Sequence, residues 1–267
     1  MLRIQNRDYG KNNPKISKIA VIKGNNESEK KALFLDETEG AKGEKQIILS
    51  GKDYFQPVPH SKQHQIERNY ISGMSGSGKS TYLANWISQY LKQSGNSDKT
   101  IYIISSVEYD PVIDDRFSNN IFRIPIDDDL VSDPLREDEF DEGVIVFDDT
   151  SKIKNIKQRN AIFNLLESMC EIARHYKLQL LITSHMISNY SRTRTILNES
   201  TSVTLFPRFA GGLHYIKDFL SKRCGLNKKQ VKHFLDMAKQ SRWVTIYKNP
   251  MYLISAKECY MIDQDED

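Results

Sequence analysis

An α/β fold, with a mostly parallel sheet flanked by helices and a small β-rich segment ahead of it, is what the sequence predicts, and three observations predict it. From Ile66 onward, apolar runs of strand length alternate with helical patterns, the arrangement that builds parallel sheets covered by helices. One of these runs leads into a glycine-rich loop and another ends in paired carboxylates, both residue types of phosphate chemistry. The first 65 residues show short strands with polar connections and no helical period.

The composition allows such a fold and excludes others. A chain of 267 residues buries about three quarters of its unfolded surface. With 39% hydrophobic and 27% charged residues, 13 Gly and 8 Pro, it is neither collagen-like nor low-complexity nor disordered. No apolar run reaches the roughly 18 residues of a membrane span, and residues 1–15 have no apolar core of the signal-peptide kind. A soluble protein that is not secreted is therefore expected. Cys170, Cys224 and Cys259 lie far apart without a CxxC pair, so they read as buried thiols. The net charge of +3 hides segregation: residues 108–149 carry 15 acids against 3 bases, and residues 151–248 carry 18 bases against 5 acids. A basic half of that size is a candidate polyanion surface.

The elements follow in order. Residues 18–24, 30–37 and 45–51 read as strands, and residues 55–61, with Pro57 and Pro59, as a linker. In the second part, strands are expected at 69–72, 100–106, 120–126, 143–149, 178–185 and 202–207. Leu83, Trp86, Ile87, Tyr90 and Leu91 recur at helical spacing, and Ile162, Phe163, Leu165, Leu166, Met169, Cys170 and Ala173 line a second helix. Residues 213–225 and 228–240 read as amphipathic helices, and 242–255 as a hairpin turning at Asn249 and Pro250. Three segments result: 1–65, β-rich and of open role; 66–210, the nucleotide-binding core; and 211–267, a basic extension.

Gly73-Met74-Ser75-Gly76-Ser77-Gly78-Lys79-Ser80 matches GxxxxGKS between a strand and a helix, with Thr81 next in line. Its glycines let successive N–H groups turn inward on phosphates at the positive end of the helix. Lys79 then reaches the β- and γ-phosphates and the Ser80 hydroxyl coordinates magnesium. The apolar strand ending in Asp148 and Asp149 places its acids at the carboxyl edge of the sheet. Asp148 is positioned to hold Mg2+, and Asp149 to orient or deprotonate the attacking water. Further strands lie between the two motifs in sequence, which suits P-loop NTPases in which an additional strand separates them. The NKxD guanine signature is met only partially, at Asn227 to Gln230, so ATP is expected rather than GTP. A nucleotide or small-molecule kinase, with Arg192 and Arg194 in a lid, is the alternative. His60 and His64 are four apart, but the neighbouring prolines favour a linker over a metal pair.

Residues 143–149, then a helix, then Ala173-Arg174-His175-Tyr176 leading into 178–185, and 192–200 before 202–207, resemble the FtsK-HerA superfamily. More narrowly, over residues 66–210, they resemble the poxvirus-type DNA-packaging ATPases of large double-stranded DNA viruses. Arg174-His175, and Arg194 with Asn198, are the nearest matches to that family's downstream motifs. Thr183-Ser184-His185 stands where the family commonly has a Gln sensor, so that His185 would meet the γ-phosphate or the water. Residues 1–65 have no counterpart. The resemblance implies a RecA/FtsK-like, ATP-driven motor on double-stranded DNA, working as a ring-shaped homo-oligomer, pentamer or hexamer, with sites shared between subunits. It also implies an arginine supplied in trans, Arg174 before Arg194, with capsid or other virion proteins as further partners and a place in the viral factory or virion. Lys222, Arg223, Lys228, Lys229 and Lys232 are the candidate DNA contacts.

Overall fold

A computed structural model describes residues 1–40, 42–59, 66–187, 193–209 and 213–262. The chain forms two compact units, one of residues 1–65 with 204–267 and the other of residues 66–203.

The first unit begins with β1 (Leu2–Asn6), β2 (Ile16–Lys23), β3 (Lys31–Asp36), β4 (Gln46–Ile48) and β5 (Tyr54–Pro57). Four of these make an antiparallel sheet in the order β1-β3-β2-β5. Residues 55–57, expected as linker, thus fall in a strand. It lies at the sheet edge, where a proline's missing N–H costs no ladder bond.

The second unit holds β6 (Arg68–Ser72), α1 (Lys79–Leu91), β7 (Thr100–Ser105), α2 (Pro111–Asp114), β8 (Ile121–Ile124), α3 (Asp129–Ser132), β9 (Gly143–Asp148), α4 (Ile156–Ile172), β10 (Leu178–Ser184), α5 (Arg194–Glu199) and β11 (Ser202–Leu205). Its strands run in the order β11-β6-β10-β9-β7-β8, and β6, β10, β9, β7 and β8 pair in parallel. The additional strand between the glycine loop's strand and the Asp-Asp strand is β10, which comes later in sequence. The strands between the motifs in sequence, β7 and β8, lie beyond β9. Val144 to Phe147 are fully buried, as a central parallel strand demands. One face of α1 buries Tyr82, Leu83, Trp86, Ile87 and Tyr90, with the Trp86 and Tyr90 rings stacked 6.0 Å apart.

The first unit resumes with α6 (Leu213–Lys222), α7 (Lys228–Gln240), β12 (Val244–Lys248), β13 (Met251–Ser255) and β14 (Glu258–Met261). The three segments expected from sequence therefore become two units. The cause is local: β14 pairs antiparallel with β4, and one core joins Leu2, Ile19, Leu33 and Phe55 to Tyr247, Tyr252, Ile254 and Cys259. Asn227 and Gln230, from the partial guanine signature, cap α7 reciprocally. Among the described residues no helix is long and apolar enough to cross a membrane.

Candidate functional site

The loop of residues 73–78 leaves β6 and enters α1 through Gly76 at φ +75° and Gly78 at φ +106°, left-handed conformations that glycine adopts without penalty. The Gly73 N–H donates to the Ser184 carbonyl at 3.0 Å, tying the loop to the end of β10. Lys79 is 8% exposed, and its amine donates to the carbonyls of Gly73 (2.7 Å) and Met74 (3.4 Å), so it lies within the turn of the loop. Burial holds its pKa below the ordinary lysine value, against the pull of Asp149 and Asp148. Met74, Ser75, Gly76 and Thr81 are exposed, and Ser80 is partly buried on the first turn of α1.

Asp148 ends β9, and two hydroxyls grip it in the same way. Ser105, its neighbour in register at the end of β7, donates to Oδ2 at 3.0 Å and accepts the Val107 N–H. Thr183 of β10 donates to Oδ1 at 2.5 Å and accepts the Asp149 N–H at 3.1 Å. Each hydroxyl donates its one proton to the carboxylate, which can only accept, while its oxygen accepts a backbone N–H. Arg123 steadies the same corner, forking onto Asp114 at 2.6–2.7 Å and donating to the Val107 carbonyl. That pairing raises the Arg123 pKa and lowers that of Asp114. The Asp148 carboxylate and the Ser80 hydroxyl are oxygen donors, the type magnesium takes alongside phosphate oxygens and water.

Asp149 is buried with a left-handed backbone, φ +47°, a conformation Asp tolerates better than most residues. Its Oδ2 accepts from His185 Nε2 at 2.7 Å and from Lys152 Nζ at 3.1 Å, while Oδ1 is buried without a hydrogen-bond partner. His185 is fixed from both sides, by the Gly73–Ser184 bond and by Tyr70, whose hydroxyl donates to the Met186 carbonyl at 2.6 Å. Burial pushes the Tyr70 pKa up to about 12, so it remains a donor.

Lys79, Asp148, Asp149 and His185 therefore converge, and Ser105, Thr183 and Lys152 join them. Sequence reasoning passed over Ser105 and Lys152: the first is brought in by strand register, and the second carries no signal beyond its spacing from Asp149. Arg174 was expected as an arginine supplied to a neighbour's site, because it leads into the strand next to the active edge. It is exposed on the turn before β10, at the opposite end of that strand from Thr183. Arg194 is exposed at the start of α5, and no hydrogen bond or ion pair among the described residues links it to Asp148 or Asp149. Lys222, Arg223, Lys228, Lys229 and Lys232 are exposed on or beside α6 and α7, Lys222 pairing with Asp218 at 2.9 Å. Arg192, His60 and His64 lie outside the described residues.

Fold and site together define a P-loop NTPase of the additional-strand class. No protein-family model matches the chain. The chain belongs to the family of the uncharacterized protein V3 of Sputnik virophage, to which it is 34% identical over 238 residues, 88% of this chain and 91% of that protein. Among solved structures, the cytoplasmic domain of the Thermomonospora curvata type VII secretion ATPase EccC aligns with a TM-score of 0.50 at 12% identity, over 84% of this chain and 29% of that one. The genome packaging NTPase B204 of Sulfolobus turreted icosahedral virus 2, in complex with AMP, aligns with a TM-score of 0.44 at 16% identity, over 72% of this chain and 97% of that one.

Proposed function

We propose that the chain is an ATP-hydrolysing motor that moves double-stranded DNA, with packaging of a viral genome as its task. The observation that carries this reading is the convergence of Lys79, Asp148, Asp149 and His185 at one sheet edge, beside a loop shaped for phosphates. Lys79 neutralises the β- and γ-phosphates, and the loop N–H groups orient them. Asp148, fixed by Ser105 and Thr183, and Ser80 hold magnesium, which supplies charge neutralisation to the phosphates when bound. Asp149 takes a proton from the water whose oxygen attacks the γ-phosphorus. The bond from that phosphorus to the β–γ bridging oxygen breaks, and ADP leaves with the electron pair. His185 aims the Asp149 carboxylate.

The motor part of the reading rests on the FtsK-HerA motifs of residues 143–207, the basic surface of α6 and α7, and membership in a viral family. Lys222, Arg223, Lys228, Lys229 and Lys232 contact the DNA backbone, and capsid or other virion proteins are the further partners. The ring makes sense of Arg174: β10 spans about 20 Å at 3.3 Å per residue, so this arginine serves a neighbour's phosphates rather than its own.

The test is ATP hydrolysis with and without long duplex DNA, on a sample of known oligomeric state. Lys79→Ala should abolish tight nucleotide binding. Asp149→Asn, which tolerates the left-handed backbone, should bind ATP and lose turnover by about 10²- to 10⁴-fold, the scale of a lost general base. Indifference to DNA, with rapid turnover only when a small acceptor is supplied, would instead mark a kinase.

A further inference from the structure

Asp149 has little room for a water in the arrangement described. Its Oδ1 is buried, and its Oδ2 already accepts two N–H donors. If it is to take a proton from water, one donor must leave. His185 is the fixed one, since the residues on either side of it are tied to β6 and its loop by the bonds from Gly73 and Tyr70. Lys152 is the mobile one: its side chain is 51% exposed, and among the described residues its amine meets Asp149 alone. Its backbone is anchored by the turn that follows Asp149, the Lys152 N–H donating to the Asp149 carbonyl at 2.9 Å. A flexible four-carbon stem therefore carries the charge from a fixed base.

We propose that Lys152 is a second phosphate-binding cation, which leaves Asp149 for the terminal phosphate of a bound nucleoside triphosphate and so frees the carboxylate to act as base. The proposal rests on the reading of this site as an ATP site. An amine that abandons a carboxylate needs another anion within reach, and the γ-phosphate is the anion that arrives. Lys152 lies close enough to Lys79, which the loop encloses, for its charge to bear on that amine, so it starts beside the phosphate loop. A diphosphate offers no such partner, so Lys152 stays on Asp149 and the site stays silent. The exchange makes the catalytic carboxylate available when, and only when, there is a γ-phosphate to transfer. It also supplies in cis a cation that the ring otherwise draws from a neighbour.

The experiment compares affinities for ADP and for a non-hydrolysable ATP analogue, adenylyl imidodiphosphate, in the full-length wild type, Lys152→Met and Lys152→Arg. Lys152→Met should lose about tenfold or more in affinity for the analogue, the worth of one charge-assisted hydrogen bond, with ADP affinity unchanged within about twofold. Lys152→Arg should keep most of the preference for the triphosphate. A Lys152→Met protein with the wild-type ratio of analogue to ADP affinity would overturn the proposal. Faster hydrolysis at unchanged analogue affinity would do so too, because Lys152 would then merely cover Asp149. A wild-type protein that binds neither nucleotide would refute the ATP site itself, a result distinct from both.

Discussion

Asp148 shows how strictly a single carboxylate is oriented at the sheet edge. Both oxygens accept a hydroxyl proton, one from Ser105 and one from Thr183, and each hydroxyl is turned by a backbone N–H. Ser105→Ala should raise the magnesium concentration needed for half-maximal hydrolysis by about three- to tenfold, the scale of one hydrogen bond, with thermal stability nearly unchanged. A magnesium dependence identical to wild type would take Ser105 out of the site. Thr183→Val should cost more, because that side chain also holds the Asp149 N–H. Lys79, Ser80, Asp148 and Asp149 are legible in the sequence because phosphate chemistry requires them at short, fixed spacings. Ser105 is not: its place beside Asp148 is made by the pairing of β7 with β9, two strands joined through more than thirty intervening residues. His185 is legible only as a polar residue at a strand end, and its bond to Asp149 is a matter of three-dimensional arrangement.

At the scale of elements, α7 is fastened to β14 by a charged contact. His233 Nε2 donates to Glu258 Oε1 at 2.6 Å, and Gln46 of β4 donates to the same oxygen at 2.6 Å. Burial pushes the Glu258 carboxyl up, but the bonds from His233 and Gln46 outweigh it and leave its pKa below the ordinary value of 4.5. The bond to Glu258 holds the His233 pKa above 6.5 despite burial, with Asp236 adding to the effect. The carboxylate's contribution to stability is present above 4.5 and fades as pH falls through its lowered pKa. The imidazolium's contribution is present below 6.5 and fades as pH rises through its raised pKa. The contact therefore stabilises most between pH 4.5 and 6.5. Thermal unfolding of wild type and Glu258→Gln should differ most in that window, the difference shrinking as pH rises through the raised His233 pKa. A difference that is constant from pH 5 to 9 would assign Glu258 a role without charge. Most elements of this chain are legible as apolar runs or helical stripes, which report burial directly. The exceptions are short: β5 is disguised by Pro57, β1 and β14 are too short for a period to show, and α2, α3 and α5 are helices of four to six residues.

At the scale of the whole molecule, the reading predicts catalytic interdependence between copies. Arg174→Ala and Lys79→Ala proteins should each be inactive alone, and demonstrably mixed oligomers should recover part of the activity, because some interfaces then join an intact loop to an intact arginine. An active Arg174→Ala protein, or mixed oligomers that stay inactive, would count against Arg174 as the shared residue. The division of the chain was the least legible feature. Local patterning marks the change near Ile66, yet nothing in it reveals that residues 204–267 build one unit with residues 1–65.

That discontinuous unit makes this a protein that must wait to be finished. Gln46 and Glu258 are 212 positions apart yet share a hydrogen bond. At about 5–20 residues per second of synthesis, β4 leaves the ribosome roughly ten to forty seconds before its partner strand is made. Residues 66–203 can pair their parallel strands meanwhile, but β4 offers an unpaired edge to any passing chain. A message broken after residue 203 would thus yield a polypeptide with a formed nucleotide site and half of the other unit's core uncovered, a natural client for chaperones and proteases.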